Sequence, residues 1–216
     1  MTISLQNIIP VPLRDKPQLQ QSEIWNRQVD FNDGEWVKIK APSGTGKTTL
    51  VHIIWQLRSD FTGKVLYDNT DVASIKAAVI AKYRQEKMSV IFQDMRLFAN
   101  LTAYENIELK RTMSNTSFYD AAVITEMAEQ LGVQHILHQK ANTCSYGEQQ
   151  RIAIIRALMQ PFKWLIMDEP FSHLDKENTL KAVALITREC KKRNAGFVLT
   201  DLDEDNYFAY SRQLVL

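Results

Sequence analysis

Apolar and polar positions alternate in short runs over the first forty residues, and thereafter brief apolar runs are separated by stretches of helical spacing. Residues 3–9 and 24–31 read as strands, and Asn32-Asp33-Gly34 is a turn signal ahead of a third at residues 35–40. In that third run Val37 and Ile39 share one face, while Trp36, Lys38 and Lys40 share the other. A strand buried on both faces usually reads as an unbroken apolar run, so the lysines predict a thinly covered face or snorkelling stems. Leu50, Ile53, Ile54 and Leu57 then recur at helical intervals over residues 50–57. Residues 65–67 and 89–92 read as strands around a helical stretch at 74–85. From 94 to 143 the pattern is helical and predicts no strand. It is clearest at 121–131, where Ala122, Ile124, Met127, Ala128 and Leu131 form a stripe and Gly132 supplies a stop. A helix at 145–159 opens on Ser145-x-x-Glu148, the form of a capping box. Trp164-Leu165-Ile166-Met167 is a run of buried-strand type. A helix at 178–193, a strand at 197–200 and a short strand at 213–216 complete the series. Strands alternating with helices predict an α/β fold with a parallel sheet.

One loop gives this scaffold a chemistry. Ala41-Pro42-Ser43-Gly44-Thr45-Gly46-Lys47-Thr48-Thr49 joins the strand at 35–40 to the next helix. Gly44 and Gly46 let the backbone turn so that successive N–H groups face phosphate oxygens. Lys47 adds a point charge near the outer phosphates, and the Thr48 hydroxyl suits Mg²⁺. The N-terminal end of the following helix contributes its unpaired N–H groups and its dipole. The pattern G-x-x-x-x-G-K-[ST] is met except at its first position, where Ala41 stands; a positive φ there would cost alanine about 1–2 kcal/mol. Asp168-Glu169-Pro170 follows the apolar run at 164–167. A carboxylate at such a strand end can hold Mg²⁺, and its neighbour can activate water for in-line displacement. Gln93 ends the strand at 89–92, on the side of an open α/β sheet where ligands bind.

Composition narrows the classes. The chain has 216 residues, 45% of them hydrophobic, enough for one substantial core and a small subdomain. A net charge of +1 argues against a nucleic-acid footprint. Two cysteines, Cys144 and Cys190, form neither a disulfide framework nor a metal pattern, which fits a reducing compartment. The N-terminus lacks the basic region of a signal peptide, and no apolar run approaches the roughly 20 residues a membrane span needs. A membrane role is therefore expected to come through a partner.

With these motifs in one order, the chain resembles the ATP-binding cassette (ABC) ATPases that power membrane transporters. Residues 41–49 resemble the Walker A loop, and Val90-Ile91-Phe92-Gln93-Asp94 the glutamine loop. Cys144-Ser145-Tyr146-Gly147-Glu148-Gln149-Gln150-Arg151 resembles the signature motif. Residues 165–170 resemble Walker B, and Ser172-His173-Leu174-Asp175 the D-loop. Residues 92–107 look most like the lipoprotein-releasing and cell-division branches. The resemblance implies a P-loop NTPase (RecA-like) parallel-sheet core with an N-terminal antiparallel β part, residues 1–93 and 157–216. It also implies an inserted helical subdomain carrying the signature, residues 94–156. It implies ATP and Mg²⁺ as ligands and a sandwich dimer, homodimeric or heterodimeric, closing on nucleotide. Ser43, Gly44, Thr45, Gly46, Lys47, Thr48 and Thr49 would bind nucleotide from one subunit. Ser145, Gly147 and Asp175 would approach from the other. Thr48, Gln93 and Asp168 would hold Mg²⁺, and Glu169, Gln93 and Lys47 would carry hydrolysis. A transmembrane permease subunit would be the partner, with this chain peripheral on the cytoplasmic face and no nucleic acid involved. Its segment near residues 93–104, with Met95, Leu97, Phe98 and Leu101, is the expected docking surface. A small-molecule kinase would need no signature helix, and nucleic-acid or ribosome cassettes typically carry tandem units or a coiled coil.

The departures are equally informative. Tyr146 stands where the signature has glycine, to crowd the nucleotide or to stack on its ribose. Cys144 stands where it has leucine. No aromatic residue precedes the phosphate loop at residues 8–16, so base contact falls to Val11, Pro12 or Leu13, with Trp25 as a substitute or simply a core residue. Asp201 occupies the place of the family's γ-phosphate histidine, and no histidine follows His173. Asp201 either faces the phosphate or turns outward with Asp203, Glu204 and Asp205 as a solvated acidic turn. Hydrolysis is expected to be slow, and a degenerate, nucleotide-gated regulatory subunit is the alternative.

Overall fold

The computed structural model describes residues 1–113, 117–202 and 205–216. The strands are β1 (Ile3–Pro10), β2 (Gln28–Phe31), β3 (Trp36–Lys40), β4 (Phe61–Tyr67), β5 (Thr70–Asp71), β6 (Met88–Ile91), β7 (Trp164–Asp168), β8 (Gly196–Asp201) and β9 (Arg212–Val215). The helices are α1 (Lys47–Ile54), α2 (Ala77–Glu86), α3 (Ala103–Arg111), α4 (Ala122–Gln130), α5 (Tyr146–Leu158) and α6 (Lys176–Arg193). Two sheets result. One is antiparallel in the order β2-β1-β4-β5, and the other is wholly parallel in the order β6-β7-β8-β3-β9. Between β6 and β7 the described residues are helical or irregular, apart from one isolated bridge, Thr102 to Lys140.

Period-two alternation sends the parallel strands' side chains into two cores. Leu165 and Met167 of β7 and Phe197 and Leu199 of β8 join the core shared with α3–α6. Ile166, Val198, Val37 and Ile39 join the core shared with α1 and the antiparallel sheet. The C-terminal ends of β3, β6, β7 and β8 then deliver Ala41, Gln93, Asp168 and Asp201 along one edge, where ligands of open α/β sheets bind.

The expected strand at 24–31 is only four residues long. The Ser22 hydroxyl oxygen accepts the backbone N–H groups of Ile24 and Trp25, and Asn26 has φ +56°, so local bonds make a turn where the pattern predicted pairing. The helix read at 50–57 ends at Ile54, and Leu57 is exposed. The face carrying Lys38 is not thinly covered. Lys38 is fully buried and paired with Asp205, whose other oxygen accepts the Tyr210 hydroxyl at 2.6 Å. The segment after β8 thus folds over this face. Of the residues expected on a docking surface, Met95 is core and Phe98 is 59% exposed.

Candidate functional site

The phosphate-type loop leaves β3 with Ala41 fully buried, and Ala41 is absent from the left-handed region, so alanine carries no strain there. Its carbonyl accepts the Lys47 Nζ at 2.9 Å, which folds the lysine stem back over the loop. Gly44 has φ +82° and Gly46 φ +105°. Gly46 stands at the N-cap of α1, and no side chain caps that helix. A cleft of about 330 Å³ opens here, lined by Leu13, Ser43, Gly44, Gly46, Lys47, Thr48, Thr49, Gln93 and Glu169. Thr45 does not line it; its hydroxyl donates to the Pro42 carbonyl at 2.7 Å.

The acidic pair meets this loop. Glu169 has φ +44°, a strained left-handed residue of the kind found at functional sites. Its N–H donates to the Thr200 carbonyl at 2.9 Å. One carboxylate oxygen lies 3.3 Å from Lys47 Nζ, and the other accepts Gln93 Nε2 at 3.1 Å. Asp168 is fully buried. Its Oδ1 accepts the Thr200 hydroxyl at 2.9 Å, while Oδ2 has no partner among the described residues. Burial raises the Asp168 carboxyl above the usual range, and hydrogen bonding from the Thr48 and Thr200 hydroxyls opposes it. An orphaned carboxylate oxygen beside an exposed threonine hydroxyl suits a hard divalent cation that keeps its waters, and Mg²⁺ fits these donors.

Sequence reasoning did not single out His52. It lies one helical turn after Thr48 and shares a 140 Å³ cavity with Thr48, Phe92, Gln93, Asp94, Arg96 and Asp168. Burial, then the neighbouring Arg96, lowers its pKa, and Asp168 and Asp94 oppose this. The Arg96 guanidinium sits 4.0 Å from the Phe92 ring centroid and 3.1 Å from His52 Nε2. Met95 and Arg96 both have positive φ, and Arg156 donates to both of their carbonyls.

The remaining predicted residues lie elsewhere. Ser145 and Glu148 form a complete capping box on α5, and Asp175 caps α6 by accepting the Asn178 N–H at 2.8 Å. A Cβ at Gly147 would stand 3.0 Å from the His173 carbonyl oxygen. Neither Ser145 nor Gly147 nor Asp175 is among the residues lining the cleft. Tyr146 is 68% exposed, its ring 5.4 Å from that of His173. Trp25 is buried with its indole under the loop, so it belongs to the core and cannot stack on a base from solvent. Leu13 supplies the apolar wall that the sequence assigned to residues 11–13. Asp201 is half-buried, and its Oδ1 accepts the Leu202 N–H at 2.7 Å. Burial raises its carboxyl; the Leu202 N–H and Lys38 oppose this, and Asp205 and Glu169 add to it. Asp205 turns inward onto Lys38, which removes it from a solvated turn, and Asp203 and Glu204 lie outside the described residues.

Residues 25–172 match the family described as ABC transporter. The chain belongs to that family. It is 34% identical over 80% of its length to the lipoprotein-releasing system ATP-binding protein LolD of Pseudoalteromonas translucida, covering 75% of that protein. It is 34% identical over 83% of its length to the molybdate/tungstate import ATP-binding protein WtpC of Pyrococcus horikoshii. The chain spans about half the length of that import relative, 49%, and 52% of the glucose import protein GlcV of Saccharolobus solfataricus. Among solved structures, the dimeric bacterial ABC transporter cassette MJ0796 superposes with a TM-score of 0.80 at 27% identity, over 93% of this chain and 88% of that one. The fold is therefore that of an ABC cassette, and the antiparallel sheet beside a parallel core is part of it. Among the described residues no helix is long and apolar enough to cross a membrane.

Proposed function

We propose that this chain is the ATP-binding and hydrolysing subunit of an ABC transporter complex, closing as a dimer on MgATP and driving a membrane partner. The observation that carries the reading is the convergence of Lys47, Gln93 and Glu169 on one cleft at the uncapped end of α1. Lys47 and the loop N–H groups bind phosphate, Thr48 and Asp168 hold Mg²⁺ with Gln93, and Glu169 acts as general base on water. Ser145 and Asp175, exposed at the starts of α5 and α6 and away from this chain's own cleft, serve the nucleotide of the second subunit together with Gly147. LolD and WtpC are named as ATP-binding proteins of a release and an import system, and MJ0796 also has a post-hydrolysis dimer bound to ADP and Pi, with a TM-score of 0.78.

A groove of about 250 Å³ supports a docking face for the membrane subunit, with Phe98, Leu109 and Met113 exposed along it. Its described lining carries Arg96, Lys110 and Arg156 and no carboxylate. Burial, then Arg156 and Arg84, pushes Lys110 down to about 8. A partner segment with an acidic side chain among apolar ones matches that lining. A slowly hydrolysing subunit is the second reading, favoured by an acidic Asp201 at the end of β8, beside the strand that delivers Asp168 and Glu169.

Glu169→Gln tests the main reading. The amide keeps the shape and loses the base, so ATP binding is retained and turnover is lost. Size-exclusion in saturating MgATP is expected to move the variant to a dimer. A variant that hydrolyses ATP at the wild-type rate would remove Glu169 from the chemistry and the reading with it.

A further inference from the structure

We infer that Trp25 is a positioning residue for nucleotide binding: its indole N–H holds the Thr45 carbonyl beneath the phosphate loop and so aims the Gly46 N–H into the cleft. The inference rests on the reading of that cleft as a nucleotide site.

The turn before β2 places the indole. Ser22 Oγ accepts the Ile24 and Trp25 N–H groups at 3.1 and 2.8 Å. Asn26, at φ +56°, donates its N–H to the Ile8 carbonyl of β1 at 2.9 Å. The ring is thereby fixed to the antiparallel sheet at 2% exposure, and its Nε1 donates to the Thr45 carbonyl at 3.0 Å. Trp36 and Trp164 also donate from their indoles, but to the carbonyls of Ala195 and Met1, which belong to the scaffold. Trp25 alone of these three gives its donor to the phosphate loop.

The consequence follows from peptide geometry. The Thr45–Gly46 bond is trans, as all described peptide bonds are, and in a trans peptide the C=O and the next N–H point in opposite directions. Holding the Thr45 oxygen on the Trp25 side leaves the Gly46 N–H on the cleft side, and Gly46 lines that cleft. No described protein group accepts this N–H. The Thr45 hydroxyl and N–H are both turned to the Pro42 carbonyl, so they do not compete for the peptide plane. The ring also sets the residue type. A Cβ on Gly46 would stand 2.7 Å from Leu13 Cδ1 and 3.2 Å from Trp25 Cζ2, at φ +105°. The indole is thus a donor to one side of the peptide and a wall against the next α-carbon. Without the donor, the peptide can rotate and the amide must be reoriented each time an anion binds, which weakens binding by lost preorganisation.

The test is calorimetric titration of the full chain with MgADP. Trp25→Phe keeps an aromatic body and loses the donor, and β-(3-benzothienyl)alanine at position 25 keeps the bicyclic shape with sulfur in place of N–H. Both are expected to bind about three- to tenfold more weakly, the effect of one neutral hydrogen bond. The benzothienylalanine protein keeps the packing, while Trp25→Phe also lowers the unliganded melting temperature through the cavity it leaves. Trp36→Phe, which loses a scaffold bond of the same kind, is expected to bind like wild type. In ¹H–¹⁵N spectra the indole resonance missing from the Trp25 variants is expected to shift in wild type on adding MgADP. Wild-type affinity in the benzothienylalanine protein, or an indole resonance that MgADP does not move, overturns the inference. If Trp25→Phe does not fold, the benzothienylalanine protein and the wild-type spectrum decide it. A wild-type chain that does not bind MgADP overturns the nucleotide reading, and the inference with it.

Discussion

The N-terminal ends of α1 and α5 are finished in opposite ways. α1 begins after a glycine in the left-handed region and has no side-chain cap. α5 begins after Ser145 with a complete capping box, in which Ser145 and Glu148 each satisfy the other's N–H. The first four N–H groups of any helix lack an intrahelical partner. At α5 the sequence supplies acceptors; at α1 it leaves the N–H groups to water or to an anionic ligand. The same contrast holds for α6, which Asp175 caps. α2 and α4 also start without a side-chain cap, so the open end alone does not mark a site; what sets α1 apart is that Lys47, Gln93 and Glu169 surround it.

The largest expected effect breaks the open end. Lys47→Ala removes the cation that lies 2.9 Å from the Ala41 carbonyl and 3.3 Å from Glu169. Titration with a fluorescent ATP analogue is expected to show binding abolished. Unchanged affinity would mean that phosphate does not bind at this loop.

The two ends differ in legibility as well as in chemistry. The phosphate loop, the capping box and the acidic pair were readable because each is a short local pattern whose meaning depends on a few neighbouring residues. The buried run at 164–167 was readable from its unbroken apolarity, and the helix at 121–131 from its stripe. What the sequence hid is held by distant partners. Lys38 looked half-exposed because Asp205 and Tyr210, which bury and neutralise it, lie far along the chain. Trp25 was readable as a core tryptophan or a base platform, and neither reading reveals that its N–H reaches Thr45. His52 carried no motif; only the helical step from Thr48 could have marked it. The first half of the strand expected at 24–31 was lost to the Ser22 hydroxyl, a local competitor that β propensity does not weigh.

The next effect concerns the strand end beside Glu169. Asp201 ends β8 as Asp168 ends β7, yet Asp201 spends one oxygen on the Leu202 N–H while Asp168 keeps one oxygen unpartnered. If the Asp201 charge bears on the γ-phosphate, it opposes the charge that hydrolysis develops there. Two unit charges about 4 Å apart repel by roughly 1–4 kcal/mol between bulk water and a protein surface. A donor at that place is worth on the order of 10²–10³ in rate. Asp201→His is therefore expected to raise steady-state ATPase turnover toward that factor, with less change in ATP affinity. Asp201→Asn is expected to give a smaller gain by relieving repulsion alone. A gain with histidine and none with asparagine assigns the deficit to the missing donor. No gain with either removes Asp201 from the reaction.

The smallest effect tests whether the two helix ends are independent. Ser145→Ala deletes one half of the α5 capping box, a loss of about 1 kcal/mol for a typical N-cap. In a domain of this size that lowers the melting temperature by about 2–4 °C. Ser145→Thr keeps a hydroxyl acceptor and is expected to lose less. Because Ser145 does not line the cleft at α1, MgADP binding to the isolated subunit is expected to stay at the wild-type value in both variants. Nucleotide-driven dimerisation, followed by size-exclusion in the Glu169→Gln background, is expected to weaken in Ser145→Ala beyond what the stability loss explains, since Ser145 then has no oxygen to offer the opposite nucleotide. The threonine variant keeps both the cap and the hydroxyl and serves as the control: dimerisation is expected to recover with it, while the alanine variant, corrected for its stability loss, reads the contribution of the hydroxyl. If alanine lowers the melting temperature and leaves dimerisation intact, Ser145 caps its own helix and nothing more, and the closed end is a structural feature rather than the second half of the site.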